Sequence, residues 1–233
     1  MKRIISFMST VTIMAMLTTT LSLTSCKKES QALNSRNASA LSEQQTAPYN
    51  VALVHAAIHI EDASMQPPAG DATLLWDNRG HTPIMAPEGH QITLGEFNRV
   101  SGYAEVKCVN AGTHVVVHVQ GLIPNGIYTI WVLTFKSPGF DGTFVNLIGN
   151  GALGAPDGSQ NAFKASSDGT ASLSVIVPAK SLSLFGSVTN CLSDEFEVHL
   201  AAAYHSDNLT HGGNPGDPAT WVVQFAFPFY GGF

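Results

Sequence analysis

Residues 113–120 read THVVVHVQ, and this alternation limits what the chain can fold into more than any other feature. Side chains of an extended strand point to opposite faces in turn, whereas those of a helix return to one face after three or four residues. Extended, the stretch puts Val115, Val117 and Val119 on one face and His114, Val116, His118 and Gln120 on the other. A strand with one face in a core and one in water has this composition; a helix would spread the valines around its axis. Upstream, YAEVKCV (103–109) is of the same kind, and only Asn110, Ala111 and Gly112 lie between. A short connection carrying glycine predicts a β-hairpin.

Other segments repeat the pattern. IYTIWVLTF (127–135) follows the turn signal Pro124-Asn125-Gly126 and is apolar on both parities, which predicts a central strand covered on both sides. TASLSVIVP follows the Asp168-Gly169 turn, and EFEVHLAAAY follows Cys191. In TWVVQFAF (220–227), Trp221, Val223, Phe225 and Phe227 alternate with Val222 and Gln224, so Trp221 is expected in the core. The same parity argument places Trp131 there with Leu133 and Phe135, while Trp76, just before a turn, is expected at the core or its rim. NVALVHAAIHI (50–60) suits a strand through Val54, Ala56, Ile58 and Ile60; its alanines also suit a helix, and strand is preferred. Seven or eight short strands joined by turn chemistry predict an all-β domain over residues 49–233, folded as a single antiparallel β-sandwich. The exception is residues 137–169, rich in Gly, Asn and Asp. Its length predicts a long loop, of the kind that either carries function or is locally disordered.

The N-terminus reads as an address. Lys2 and Arg3 precede a mostly apolar run from Ile4 to Leu23, free of acidic residues, and then Leu23-Thr24-Ser25-Cys26. An apolar residue, two small ones and a cysteine make a lipobox, so residues 1–25 are expected to be a lipoprotein signal peptide and Cys26 the lipidation site. An uncleaved anchor or an ordinary secretory signal are the alternatives. Residues 26–48 are polar, end at Pro48 and read as a flexible tether. The implied partner is membrane lipid, reached through acyl chains on Cys26. Lys27 and Lys28 stand where an aspartate would signal inner-membrane retention, which points to an outer-membrane lipoprotein of the cell envelope, facing the periplasm or the surface. Lipidation leaves Cys108 and Cys191, and an oxidising compartment predicts a disulfide between them, with two separate buried thiols as the alternative. Without Lys2 and Arg3 the chain has 9 basic and 17 acidic residues, a formal charge of −8, and no basic cluster beyond Lys27-Lys28. Nucleic acid is therefore not an expected partner.

Nine histidines invite a metal reading, and spacing removes most of them. On a strand, His114 and His118 are about 13 Å apart and His199 and His205 about 20 Å. His55 and His59 would be neighbours only on a helix. His205, Asp207 and His211 survive as a local set whose imidazoles and carboxylate suit zinc or copper at ~2.0–2.2 Å. The same stretch also reads as a hairpin tip: Asp207, Asn208, Thr210 and Asn214 bond nearby backbone well, and Gly212-Gly213, Pro215-Gly216 and Asp217-Pro218 favour turns. In the long loop, Asp141, Asn146, Asn150, Asp157 and Asn161 are the ligand-binding candidates, joined by Asp168 if the ligand is Ca²⁺, although their spacing matches no EF-hand. Nucleophile-elbow, zincin and P-loop motifs are absent. Glu195 and Glu197 are expected at a solvated edge, and no catalytic residue is assigned.

THVVVHVQGLIPNGIYTIWVLTF (113–135) resembles a strand–turn–strand unit of secreted sandwiches, including the copper-zinc superoxide dismutases: an apolar strand, Gly-Leu, a Pro/Gly turn and a further strand. The resemblance implies an immunoglobulin-like or superoxide dismutase-like sandwich. It does not imply the activity, because the copper-binding histidine-x-histidine pair would fall in the second strand, and YTIWVLTF has no histidine. TSCKKE, DNRG, GLIPNGIYTIW and SDNLTHGGNPG are together similar to envelope lipoproteins of the Bacteroidetes type, which implies location rather than reaction. The expected function is that of a lipid-anchored, non-catalytic binding module that takes a glycan or protein on its polar loops. The alternatives are a metal-binding protein or metalloenzyme using His205, Asp207 and His211, and a structural or adhesion module.

Overall fold

The computed structural model describes residues 48–180 and 189–231; the expected signal peptide, Cys26 and the tether up to residue 47 lie outside the described residues. In chain order the strands are β1 (Tyr49–Ala52), β2 (Val54–Ile58), β3 (Ile60–Glu61), β4 (Trp76–Asp77), β5 (Thr82–Pro83), β6 (Ser101–Val109), β7 (Gly112–Gln120), β8 (Ile127–Phe135), β9 (Leu147–Ala152), β10 (Ala162–Lys164), β11 (Ala171–Pro178), β12 (Glu197–His205) and β13 (Trp221–Tyr230). One sheet runs β1-β6-β7-β11 and a larger one β10-β8-β12-β13-β2, with β9 also on β8. Neighbouring strands in both are antiparallel. Among the described residues no helix is long and apolar enough to cross a membrane.

The two sheets face each other as a sandwich. Val115 and Val117 of β7 are fully buried and join Val106, Val175 and Val177 in a core with Tyr128, Ile130 and Val132 of β8, Leu200 and Tyr204 of β12, and Phe225, Phe227 and Phe229 of β13. The β6–β7 hairpin pairs Val109 with Gly112, and His114 and His118 lie on the outer face, bonded to Ser174 and Ser172. Cys108, at the end of β6, is bonded to Cys191, just before a 3-10 turn at Leu192–Asp194, with Cα atoms 5.6 Å apart. The bridge ties the smaller sheet to the segment that leads into β12.

Several expectations are corrected. NVALVHAAIHI is extended but divided: β1 pairs with β6 in one sheet, and β2 pairs with β13 in the other. The chain changes sheets at Leu53. Residues 137–169 are not one long loop. β9 lies along Trp131–Phe135 and β10 along Ile127–Thr129, so the segment closes the edge of β8. The third sheet, β3-β4-β5, and the short helix α1 (Leu94–Phe97), which carries a Thr93/Glu96 capping box, were not anticipated. They bring Leu75, Ile84, Ile92 and Phe97 into the core, and Tyr204 Oη donates to the Met85 carbonyl at 2.7 Å.

The most consequential correction concerns β13. Ala203 pairs with Val223 but Ala202 pairs with Phe225, which leaves Gln224 as an extra residue in the strand. A one-residue bulge reverses the side-chain parity beyond it. Trp221 and Val223 therefore face away from the core, whereas Phe225 and Phe227 face into it. Gln224 itself is buried, donating to the Phe97 carbonyl at 2.6 Å and accepting from Tyr128 Oη at 2.9 Å.

Candidate functional site

An outer sheet face in water is normally polar. That of the larger sheet is apolar. Trp131 and Leu133 stand on β8, Ala201 and Ala203 on β12, Trp221, Val223 and Ala226 on β13, and Val54, Ala56 and Ile58 on β2. Both tryptophans expected in the core thus lie on the outer face, Trp221 because of the bulge and Trp131 because β8 has no second layer over it. The central positions are alanines, and the flanking ones are large. Phe140, Phe144, Leu147 and Pro156, from the segment before and around β9, raise one wall, and Gly213 and Pro215 from the β12–β13 connection continue it. A groove of about 980 Å³ results.

Polar groups sit at particular points of this groove. His199 Nε2 is 2.6 Å from Glu197 Oε1, and its ring packs between Phe135 and Phe140 at 5.0 and 5.2 Å. Burial lowers the pKa of His199, against the opposing pull of Glu197. Glu197 is buried and accepts from the Phe140 amide at 3.2 Å; Glu195 is buried too, so the expected solvated edge is not formed. Trp221 is clamped elsewhere in the groove. The Arg79 guanidinium lies 4.2 Å from its ring centroid, donates to its carbonyl and pairs with Asp77 at 2.7 Å, while His59 meets the ring edge-on at 5.5 Å. His59 is also held below its ordinary pKa, by burial and then by Arg79, with Asp77 and Asn78 opposing. Trp76 is half-buried and stacks on His81 at 4.7 Å.

His205, Asp207 and His211 do come together. His205 ends β12, between Ile127 and Trp221, and is fully buried. Its Nε2 is 2.8 Å from Thr129 Oγ1, which also accepts the Trp131 indole N–H at 2.9 Å. Its Nδ1 is buried with no partner. Burial pushes the imidazole pKa down to about 4; Asp207 opposes this and His211 adds to it. His211 Nε2 is 2.9 Å from Asp207 Oδ2, and Asp207 Oδ1 accepts from the Leu209 amide at 3.1 Å. The hairpin-tip and cluster readings are thus both realised in one loop. Its shape depends on two glycines at positive φ. A Cβ at Gly216 would come within 2.5 Å of the His211 ring, and a Cβ at Gly158 would overlap the Gly212 backbone.

The long-segment candidates are dispersed. Asp141 and Asp157 each close a turn two residues on, with Thr143 and Ser159, and these hydrogen bonds hold both carboxyls below their ordinary range. Asp168 does the same with Ser166 and Thr170. Asn146 donates to the Gly139 carbonyl at 2.8 Å, and Asn161 is buried with its side-chain amide atoms unpartnered, while its backbone carbonyl accepts from the Ile130 amide. Asn150 alone of this set lines the groove. Sequence reasoning missed the groove itself, whose available signal was the small-residue run Ala201-Ala202-Ala203 on both parities of an otherwise bulky sheet.

No family model, curated protein or solved structure matches the chain.

Proposed function

We propose that the chain is a lipid-anchored binding module of the bacterial cell envelope whose ligand, a small molecule with a largely apolar body, lies in the groove on the outer face of the larger sheet. The observation that carries this reading is the groove's size together with its lining: about 980 Å³ over an alanine floor between Trp131, Trp221, Leu133 and Phe144. Small-molecule sites span roughly 300–1,000 Å³ and combine apolar walls with a few polar groups. Here the polar groups are His55, His59, His199 and Asn150. A glycan would ask for more hydrogen-bonding side chains than these. A ligand burying roughly 400 Å² of apolar surface gains about 10 kcal/mol gross at ~25 cal/mol/Å². Ordering and desolvation offset part of that, which leaves affinity in the micromolar range. The envelope location rests on the Leu23–Cys26 lipobox, and acyl anchoring would keep the groove near a source of apolar molecules.

The test is a Nile red titration of the full chain, with Ala203→Leu and Ala226→Leu as groove-filling variants. The reading expects saturable one-to-one binding, weakened more than tenfold in both variants while their melting temperatures stay within a few degrees of the parent. Non-saturable binding, or equal affinity in parent and variants, contradicts it.

A further inference from the structure

The cluster at the end of β12 goes beyond the groove. We infer that His205, Asp207 and His211 form a mononuclear site for a divalent transition metal of the Zn²⁺ class, with one coordination position left open. Each residue offers one ligand atom, and the three atoms lie within 4.8 Å of one another. Zinc at ~2.0–2.2 Å from each ligand requires them about 3.4 Å apart. Closing by roughly an ångström is within reach of rotamer changes at Asp207 and His211, which sit partly exposed on a loop. His211 Nε2 and Asp207 Oδ2 are already at 2.9 Å. Two imidazoles and one carboxylate suit zinc and its first-row neighbours, and do not suit calcium, which takes oxygen. Among the described residues no other set of three histidine, cysteine or acidic side chains is so arranged.

His205 independently lacks a partner that a metal would supply. The side chain is fully buried, yet Nδ1 has no hydrogen-bond partner. A buried polar atom without a partner has given up its water with nothing in exchange, and a metal ion at Nδ1 would supply the missing partner. With Nε2 committed to Thr129, Nδ1 is the nitrogen this residue has to offer. When the imidazole proton resides on Nε2 and is donated to Thr129 Oγ1, Nδ1 carries a lone pair, the form a metal binds. A metal-bound histidine ordinarily has its tautomer fixed by an outer acceptor such as a carboxylate, carbonyl or water, and here the Thr129 hydroxyl oxygen takes that place. Thr129 is in turn held by the Trp131 indole. The metal loop is tied to the groove wall, because Gly213 and Pro215 between His211 and Gly216 line the groove. Three protein ligands leave a fourth position for water or a ligand atom.

The experiment uses the full chain, purified without a polyhistidine tag, stripped with chelator and titrated with Zn²⁺ by calorimetry. One equivalent binds, and Asp207→Ala and His211→Ala each weaken binding by more than about a hundredfold, since even outer-shell changes reach 10- to 100-fold. The melting temperatures of the metal-free variants stay near that of the parent, which separates lost ligation from lost folding; the buried His205 is left intact for this reason. Co²⁺ in the same site gives the intense visible absorption of a four-coordinate centre. Absence of stoichiometric binding overturns the site, as does binding that persists in both variants. No groove probe is present in the experiment, so its outcome is independent of the proposed function.

Discussion

Gln224→Leu tests the device that makes the outer face what it is. Gln224 is the extra residue of the β13 bulge, and the bulge turns Trp221 and Val223 outward. Its side chain is held by two bonds, from Tyr128 Oη at 2.9 Å and to the Phe97 carbonyl at 2.6 Å. Tyr128 Oη also accepts from the Ile123 amide at 3.0 Å, and burial keeps this phenol well above its ordinary pKa, so it is neutral and able to donate. Leucine has similar volume but leaves the Tyr128 hydroxyl without an acceptor and the Phe97 carbonyl without this donor. Each orphaned buried group costs about 1–3 kcal/mol, partly offset by the apolar side chain, so a loss of about 2–4 kcal/mol is expected. Tyr128→Phe supplies the other side of a double-mutant cycle. In the parent it orphans both the Ile123 amide and Gln224 Oε1; in the Gln224→Leu background it orphans only the amide. It also removes the hydroxyl that Gln224→Leu had orphaned, so the two changes should fall short of additivity by two buried groups, about 2–6 kcal/mol. Urea unfolding at 25 °C with a common m-value reads both numbers, and a melting-temperature drop of about 2–4 °C per kcal/mol should accompany them. A Gln224→Leu loss below about 0.5 kcal/mol, or an additive cycle, would refute the claim that this bonded pair holds the bulge.

Three further outcomes follow from the fold. Replacing Cys108 and Cys191 together by serine removes a bridge between residues 83 apart and should lower stability by up to about 4–5 kcal/mol in urea, whereas an unchanged midpoint contradicts the bridge's structural role. Val117→Thr introduces a hydroxyl into the core and should cost about 1–3 kcal/mol, while Val116→Thr, on the outer face of β7, should stay within about 0.5 kcal/mol of the parent; equal costs would contradict the register. His59 and His199 have folded pKa values below the ordinary 6.5, chiefly through burial. Just below pH 6.5 the unfolded chain therefore binds more protons than the folded one, so their contribution is complete above pH 6.5 and declines as pH falls toward the folded values. Imidazole NMR titrations should place both midpoints below 6.5, and a midpoint above it would reverse the expected slope.

Strand content and one face of the sandwich were legible in local pattern. The valines of β7 show this best: alternation is a property of adjacent residues, and it survives whatever the rest of the chain does. The disulfide was legible from cysteine arithmetic. The bulge at Gln224 was not, since nothing in VVQFAF distinguishes a polar residue on the outer face from one buried beneath Tyr128. The groove was hidden for the same reason. Apolar residues on both parities of β8 meant a second apolar environment, and sequence does not say whether that is another layer or a trough lined by Trp131 and Leu133. His205, Asp207 and His211 were found because they lie within seven residues of one another. The contacts that position them, from Thr129, Gly158 and Gly216, come from distant segments or from backbone conformation.

Methyl-resolved NMR of the protein titrated with an apolar probe would show where the ligand lies. A ligand in the groove should give saturable shifts at the methyl groups of Ala201, Ala203 and Ala226 and at the Trp131 indole, with Val115 and Val117 of the core and the His114–His118 face unmoved. Shifts confined to the turns around Asp141 and Asp157, or spread without preference over both outer faces, would contradict it.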